Sequence, residues 1–255
     1  MKLAAICKDV MTIAIVLTIP AGAMADTFFG VWTGGKGAQW WRSGMSIQQM
    51  KTADQQNFGK GLRLQSLAVK NGRYTAVWRP GRGGQWWHAG MSVQQLKTWD
   101  QKYFDKGMRI HDLSVDNGKV TAVWRPGQGA QWWHAGMSIQ NFKDQDKKYF
   151  DEGLRLSSLV VDDGKYTAVW RPGTDAQWWK AGMTLAEFKA QDQKHFNNGL
   201  RIHAVTKNNG RYTAVWRTGR GGQRWAATGS IQTFKDKDRA FFQSGRRLKF
   251  LERLN

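Results

Sequence analysis

From Leu154 to Arg171 the chain holds two short runs rich in β-branched and aromatic residues, with Asp163-Gly164 between them. Such runs bounded by a turn signal read as strands. The dipeptide returns as Asn71-Gly72, Asn117-Gly118 and Asn209-Gly210. A type I′ turn needs positive φ at both central positions, which Asn, Asp and Gly tolerate, so each pair predicts a hairpin. A Pro-Gly loop follows at Pro80-Gly81, Pro126-Gly127 and Pro172-Gly173, then a short strand around Gln131-Trp132-Trp133. Ser46, Ser92, Ser138, Thr184 and Ser230 then stand where helix N-caps belong. Each helix is expected to stop at a C′ glycine: Gly61, Gly107, Gly153, Gly199 or Gly245. The predicted unit is hairpin, third strand, helix.

This unit recurs every 46 residues, five times, without insertion or deletion. Trp32, Trp78, Trp124, Trp170 and Trp216 mark one position, and Trp41, Trp87, Trp133, Trp179 and Trp225 another. A unit this small cannot bury a core alone and must lean on its neighbours. Residues 26–255 therefore read as a single repeat domain, with units near 26–71, 72–117, 118–163, 164–209 and 210–255. The array begins with a second hairpin strand, Thr27 to Trp32, and finishes with a first one, Arg246 to Asn255, so the chain is cut inside a hairpin. The expected fold class is an α+β repeat protein. Its five β-hairpin/strand/helix units would close into a propeller-like, pseudo-five-fold toroid as the last strand completes the first. An open solenoid is the alternative, but it would need polar capping repeats and none is visible.

Residues 1–25 stand outside the repeat. Lys2 and Lys8, the apolar stretch Val10 to Pro20 and the small-x-small Ala23-Met24-Ala25 are the parts of a Sec-type bacterial signal peptide. The protein is thus expected to be secreted or periplasmic, with no integral membrane segment after cleavage. Cleavage after Ala25 would leave 230 residues, five times 46. Cys7 lies in the signal, so the mature chain has neither disulfides nor thiolate chemistry, and packing must supply its stability. Without Lys2, Lys8 and Asp9 the 39 basic and 19 acidic residues become 37 and 18, a net charge of +19. That excess favours anionic partners: acidic polysaccharide, lipopolysaccharide, a membrane surface or nucleic acid.

Three motifs carry a family resemblance: Tyr74-Thr-Ala-Val-Trp78, Trp87-His-Ala-Gly-Met91, and Phe-x-x-Gly-x-Arg closing each helix, as from Phe104 to Arg109. On them, the units resemble the bacterial tandem repeat found in secreted proteins and in the non-catalytic half of polyglycine hydrolases. The resemblance covers the whole mature chain. It implies the repeat fold and an accessory role, sometimes beside a serine hydrolase related to β-lactamases. Here the repeats use every residue from 26 to 255, so no such domain is expected within them.

The fifth unit separates core from surface. Its third strand reads Gln223-Arg224-Trp225-Ala226, so the second Trp persists while the first becomes Arg224. Neighbours in a strand face opposite ways, so the Trp41 type should face the core and the residues flanking it should face outward. The outward pairs are Trp40 with Arg42, Trp86 with His88, Trp132 with His134, and Trp178 with Lys180. An exposed indole beside a cation suits a sugar ring carrying a carboxylate, sulfate or phosphate. Arg79, Arg125, Arg171 and Arg217, each just after the strand Trp, are expected to add bidentate contacts nearby. The competing reading packs the first Trp under a neighbouring helix.

Asp54, Asp100, Asp146, Asp192 and Asp238 recur without exception, as do Arg63, Arg109, Arg155, Arg201 and Arg247. With apolar positions 47, 50 and 58, Asp54 falls on the inward stripe of its helix, and the recurring Arg is the expected partner. Ser-x-x-Lys, Gly-x-Ser-x-Gly, a P-loop and His-Glu-x-x-His are all missing from the sequence. His88 and His134 share one repeat position and His111 and His203 another, places that lie far apart unless they line the axis of the ring. No catalytic residue, metal or cofactor is expected. The sequence therefore reads as a monomeric, lectin-like binding protein for anionic polysaccharide or glycoconjugate, non-catalytic and multivalent. The alternatives are a protein-interaction scaffold or accessory recognition module and, behind them, a binder of nucleic acid or lipopolysaccharide.

Overall fold

The structure is a computed structural model that describes residues 27–254. Residues 1–26, which include the expected signal peptide, and Asn255 lie outside them. Strand β1 (Thr27–Gly34) comes first. Unit one is β2 (Trp40–Met45), α1 (Ile47–Gly59), β3 (Leu62–Lys70) and β4 (Arg73–Pro80). Unit two is β5 (Trp86–Met91), α2 (Val93–Phe104), β6 (Met108–Asp116) and β7 (Lys119–Pro126). Unit three is β8 (Trp132–Met137), α3 (Ile139–Asp151), β9 (Leu154–Asp162) and β10 (Lys165–Pro172). Unit four is β11 (Gln177–Met183), α4 (Leu185–Asn197), β12 (Leu200–Asn208) and β13 (Arg211–Thr218). Then come β14 (Gln223–Thr228), α5 (Ile231–Gln243) and β15 (Arg246–Leu254).

The turn and cap chemistry is as the sequence demands. Asn71, Asn117, Asp163 and Asn209 have positive φ, as does the glycine after each. All five N-cap hydroxyls accept from the backbone N–H three residues on. Each of these contacts satisfies an amide that the first helical turn leaves without a partner.

Every sheet has three antiparallel strands, ordered third strand, second hairpin strand, first hairpin strand, as in β2-β4-β3. The third strand therefore joins the hairpin that follows it, not the one before. The reason is geometric: β4 is already flanked on both edges, so β5 must cross the Pro-Gly loop to find an edge on β7. The structural unit is strand, helix, hairpin. In the fifth sheet, β14-β1-β15, the strand from the chain's beginning sits between two from its end. Phe28 pairs with Arg253 and Trp32 with Leu248. The first hairpin strands also touch in succession: β3 with β6, β6 with β9, β9 with β12, β12 with β15, and β15 with β3.

Each helix folds onto its own sheet over one fully buried Trp: Trp32, Trp78, Trp124, Trp170 or Trp216. Asp54 is buried as expected, but its partner is not Arg63. The carboxylate accepts from Trp78 Nε1 at 2.8 Å, from Trp87 Nε1 at 2.8 Å and from Gln85 Nε2 at 3.0 Å. Trp78 belongs to the same unit, whereas Gln85 and Trp87 come from the sequence leading into and starting the next. Asp146 holds Trp170, Gln177 and Trp179 in the same way, and Asp238 joins Trp32 to Gln39 and Trp41. Neutral donors solvate the buried charge, so it needs no cation.

The recurring Arg has another task. Arg63 stacks on Phe58 at 3.6 Å and donates to the carbonyls of Phe58, Leu62 and Gly83. It ties off the helix C-terminus and grips the next loop. Phe58 and Ile47 are accordingly exposed, not inward; only Met50 of that expected stripe is core. Among the described residues, no helix is long and apolar enough to cross a membrane.

Candidate functional site

The first surface is the third strand. Trp40, Trp86, Trp132 and Trp178 are exposed by 55%, 53%, 52% and 61%, so packing beneath a helix does not occur. One face of the indole is nonetheless supported in three units. Trp86 stacks on Tyr103 with centroids 5.8 Å apart, Trp132 on Tyr149 at 5.9 Å, and Trp178 leans on His195 at 5.8 Å. Trp40 has Asn57 at the equivalent helix position, and Lys60 lies over its ring at 5.5 Å. Supported indoles keep a fixed orientation and leave the other face free.

The basic neighbours divide into two kinds. Arg42 and Lys180 are exposed, as is Arg224 in the unit that lacks the Trp. His88 and His134 are half-buried and committed, a ring nitrogen of each lying 2.8 Å from the hydroxyl of Tyr103 or Tyr149. Burial, with help from Lys102 or Lys148, pulls both pKa values below the usual imidazole range. These two imidazoles brace the aromatic shelf as neutral rings and do not act as the expected cations.

The second surface belongs to Arg79, Arg125, Arg171 and Arg217. They do not join the Trp shelf, because strand neighbours alternate and each follows a buried Trp. Arg171 reaches the Gln128 carbonyl in the preceding Pro-Gly loop at 3.1 Å, and Arg217 reaches the Leu156 carbonyl at 3.1 Å. Each therefore approaches the recurring Arg of the unit before. Burial first, and then Arg247, Arg63 or Arg109, lowers the pKa of Arg79, Arg125 and Arg171. The loop must be glycine here. A Cβ on Gly127 would lie 2.9 Å from both Arg109 Cγ and Arg171 Nη2.

A third place was only half visible in the sequence. Where each first strand meets its partner the register slips by one residue, so one side chain per unit is left out of the ladder. The bulged residues are Gln65, His111, Ser157, His203 and Lys249, one repeat position. A bulge re-aims its side chain, and all five line one cavity of about 210 Å³ where the units meet. Asp112 and Glu252 line it too. Burial pulls His111 down to about 4, His203 to about 3 and Lys249 to about 8. It pushes Asp112 up to about 7, and Glu252, with Asp112 nearby, well above the usual carboxylate range. Gln65, His203 and Lys249 also border an adjoining cleft with Arg79, Arg201 and Arg217, so one end of the cavity is strongly cationic. The shared position of His111 and His203 was the available signal; the bulge that turns it inward was not.

The chain is a tandem-repeat protein of strand–helix–hairpin units. A family model described as polyglycine hydrolase-like, structural repeat, matches residues 177–218. Those bounds are the start of β11 and the end of β13, so the match spans unit four, and the other units repeat its motifs at the same 46-residue period. No curated protein matches the chain.

Proposed function

We propose that the five units close into a propeller-like toroid and act as a secreted or periplasmic, non-catalytic, monomeric binding protein for anionic polysaccharide or glycoconjugate. Closure is supported by β1 lying between β14 and β15 and by the unbroken succession of first strands through β15 to β3. The observation that carries the binding function is the set of four exposed indoles, three of them with an aromatic support. Apolar rings held open to water at one repeated place are a cost to a folded protein unless something stacks on them. With a net charge of +19 after removal of the leader, that partner is an anionic sugar surface. Several weak, equivalent sites give avidity without any tight one.

A glycan array read at two salt concentrations tests this. Acidic glycans should bind, neutral ones should not, and added salt should weaken the signal. Replacing Trp86, Trp132 and Trp178 together by Ala should remove most of the binding while the protein still melts cooperatively. Binding that survives the triple replacement would place the site elsewhere.

A further inference from the structure

Four of the five units bring an arginine of the second hairpin strand beside the recurring Arg of the preceding unit. In unit four that arginine has a counterion. Asp175, in the Pro-Gly loop, accepts from Arg217 Nε at 2.9 Å through Oδ2 and from Nη2 through Oδ1. This is the bidentate fork of guanidinium and carboxylate. The Asp175 backbone carbonyl meanwhile takes Arg155 Nε at 2.6 Å, so one loop residue serves both guanidiniums.

In the other loops the equivalent residue is glycine: Gly37, Gly83, Gly129 and Gly221. Its carbonyl still holds the preceding Arg, as Gly129 holds Arg109 at 2.8 Å and Gly37 holds Arg247 at 2.7 Å. The carboxylate is missing. Arg79 Nε and Arg171 Nε are buried and have no hydrogen-bond partner. That atom is the one Asp175 satisfies in unit four. The fifth unit is a natural blank, because its equivalent residue is Thr33.

We propose that Arg79, Arg125 and Arg171 are carboxylate clamps, and that Arg217 is the same clamp filled from within the chain by Asp175. The ligand group is a carboxylate, as on a uronic acid, because a carboxylate is what the filled clamp holds. Two like-charged guanidiniums pressed together gain by taking up an anion, and the planar fork matches its two oxygens. Arg79, with the filled Arg217, lines the cationic cleft bordered by Lys249 and His203. As to its ligand, this rests on the anionic-glycan reading; its test does not.

Sodium acetate titrated into protein with 15N-labelled arginine, followed through the Nε–H signals, reads the clamps one by one. Arg79, Arg125 and Arg171 should shift saturably, at roughly tenfold lower acetate than exposed Arg73 and Arg211. Arg217 should not respond. In Asp175→Asn it should begin to respond like the other three. Sodium sulfate should compete weakly. Arg217 silent in Asp175→Asn, or Arg79, Arg125 and Arg171 no more responsive than Arg73 and Arg211, overturns the proposal. If acetate behaves as stated and the glycan array is empty, the clamps stand and the glycan reading falls. If acidic glycans bind but acetate leaves all four arginines unmoved, the reverse holds.

Discussion

Two repeated positions treat the repeat in opposite ways. Asp54 and its four counterparts never vary, and each accepts from two indoles, one in its own unit and one in the next. The bulge position differs almost everywhere: Gln65, His111, Ser157, His203, Lys249. Both positions are in contact with neighbouring units, so location alone does not explain the difference. Satisfaction does. The Asp is the sole acceptor for buried donors in two units at once, and any change strands them. The bulged side chain has left the ladder and points into a cavity, where an amide, imidazole, hydroxyl or ammonium each finds room. Repetition is kept where units hold one another and released where they face a shared space.

The harshest way to break this comparison is to remove the strand that joins the two ends. Deleting Lys249 to Asn255 takes away most of β15 and leaves β1 with one partner and an open edge. Cooperative thermal unfolding should be lost, as read by circular dichroism. A truncated protein that melts like the parent would show that the fifth sheet does not hold the array together.

Next in size is the aspartate itself. Asp146→Ala strands Trp170 Nε1, Trp179 Nε1 and one amide of Gln177. Only the Trp170 contact is fully buried and the other two are part-buried, so at roughly 1–3 kcal/mol for a buried donor left alone and nearer 1 for the others, the loss should be about 3–5 kcal/mol in urea unfolding. Gln65→Ser, which copies Ser157 into unit one, should cost less than about 1 kcal/mol. Equal costs for the two replacements would erase the distinction between them.

The sequence shows the first of these positions better than the second. Hairpins, caps and helix stops could be read because Asn-Gly, Ser and Gly act locally, each at a φ or an amide that it satisfies. Burial of Asp54 could be read from helical spacing. Its partners could not, because pairing opposite charges is a habit of sequence reading, while Trp87 reaches Asp54 only once β5 has crossed to the next sheet. The exposed Trp86 was legible from alternation against Trp87. That His88 braces it as a neutral ring needed the helix residue Tyr103 placed beneath. The bulge was illegible: nothing at Gln65 or Lys249 marks a slipped register.

The shared cavity makes a subtler test through pH. Asp112 titrates near 7 in the fold against 3.8 in an unfolded chain, so the stability it contributes is complete below 3.8 and lost as pH rises through about 7. His203 runs the other way, from 6.5 down to about 3, with stability present above 6.5 and lost as pH falls towards about 3. The parent's two slopes oppose each other. Single variants should separate them in melting curves. Asp112→Asn should raise Tm relative to the parent above pH 7 and leave it unchanged below 3.8. His203→Gln should raise it only below pH 6.5. Parallel pH profiles for the two variants would mean that the cavity is wetter than its lining indicates.

The smallest effect sharpens the contrast within the Trp shelf. Trp86 rests on Tyr103, whose other ring neighbours are His88, Trp99 and Trp124. Trp40 rests on no ring and has the Lys60 ammonium over its face. Stacked aromatic pairs contribute about 0.5–1.5 kcal/mol, and an exposed cation–π contact about 0.5–1 kcal/mol, part of which a flexible lysine spends on its own ordering. Trp86→Ala should therefore cost about 1 kcal/mol in urea unfolding, and Trp40→Ala about half of that or less. The order matters more than the size. A supported indole is oriented before a ligand arrives, so Trp86 should also lose more glycan binding on truncation than Trp40. If Trp40→Ala costs more on both measures, the aromatic support is incidental. The shelf would then owe its exposure to strand alternation alone.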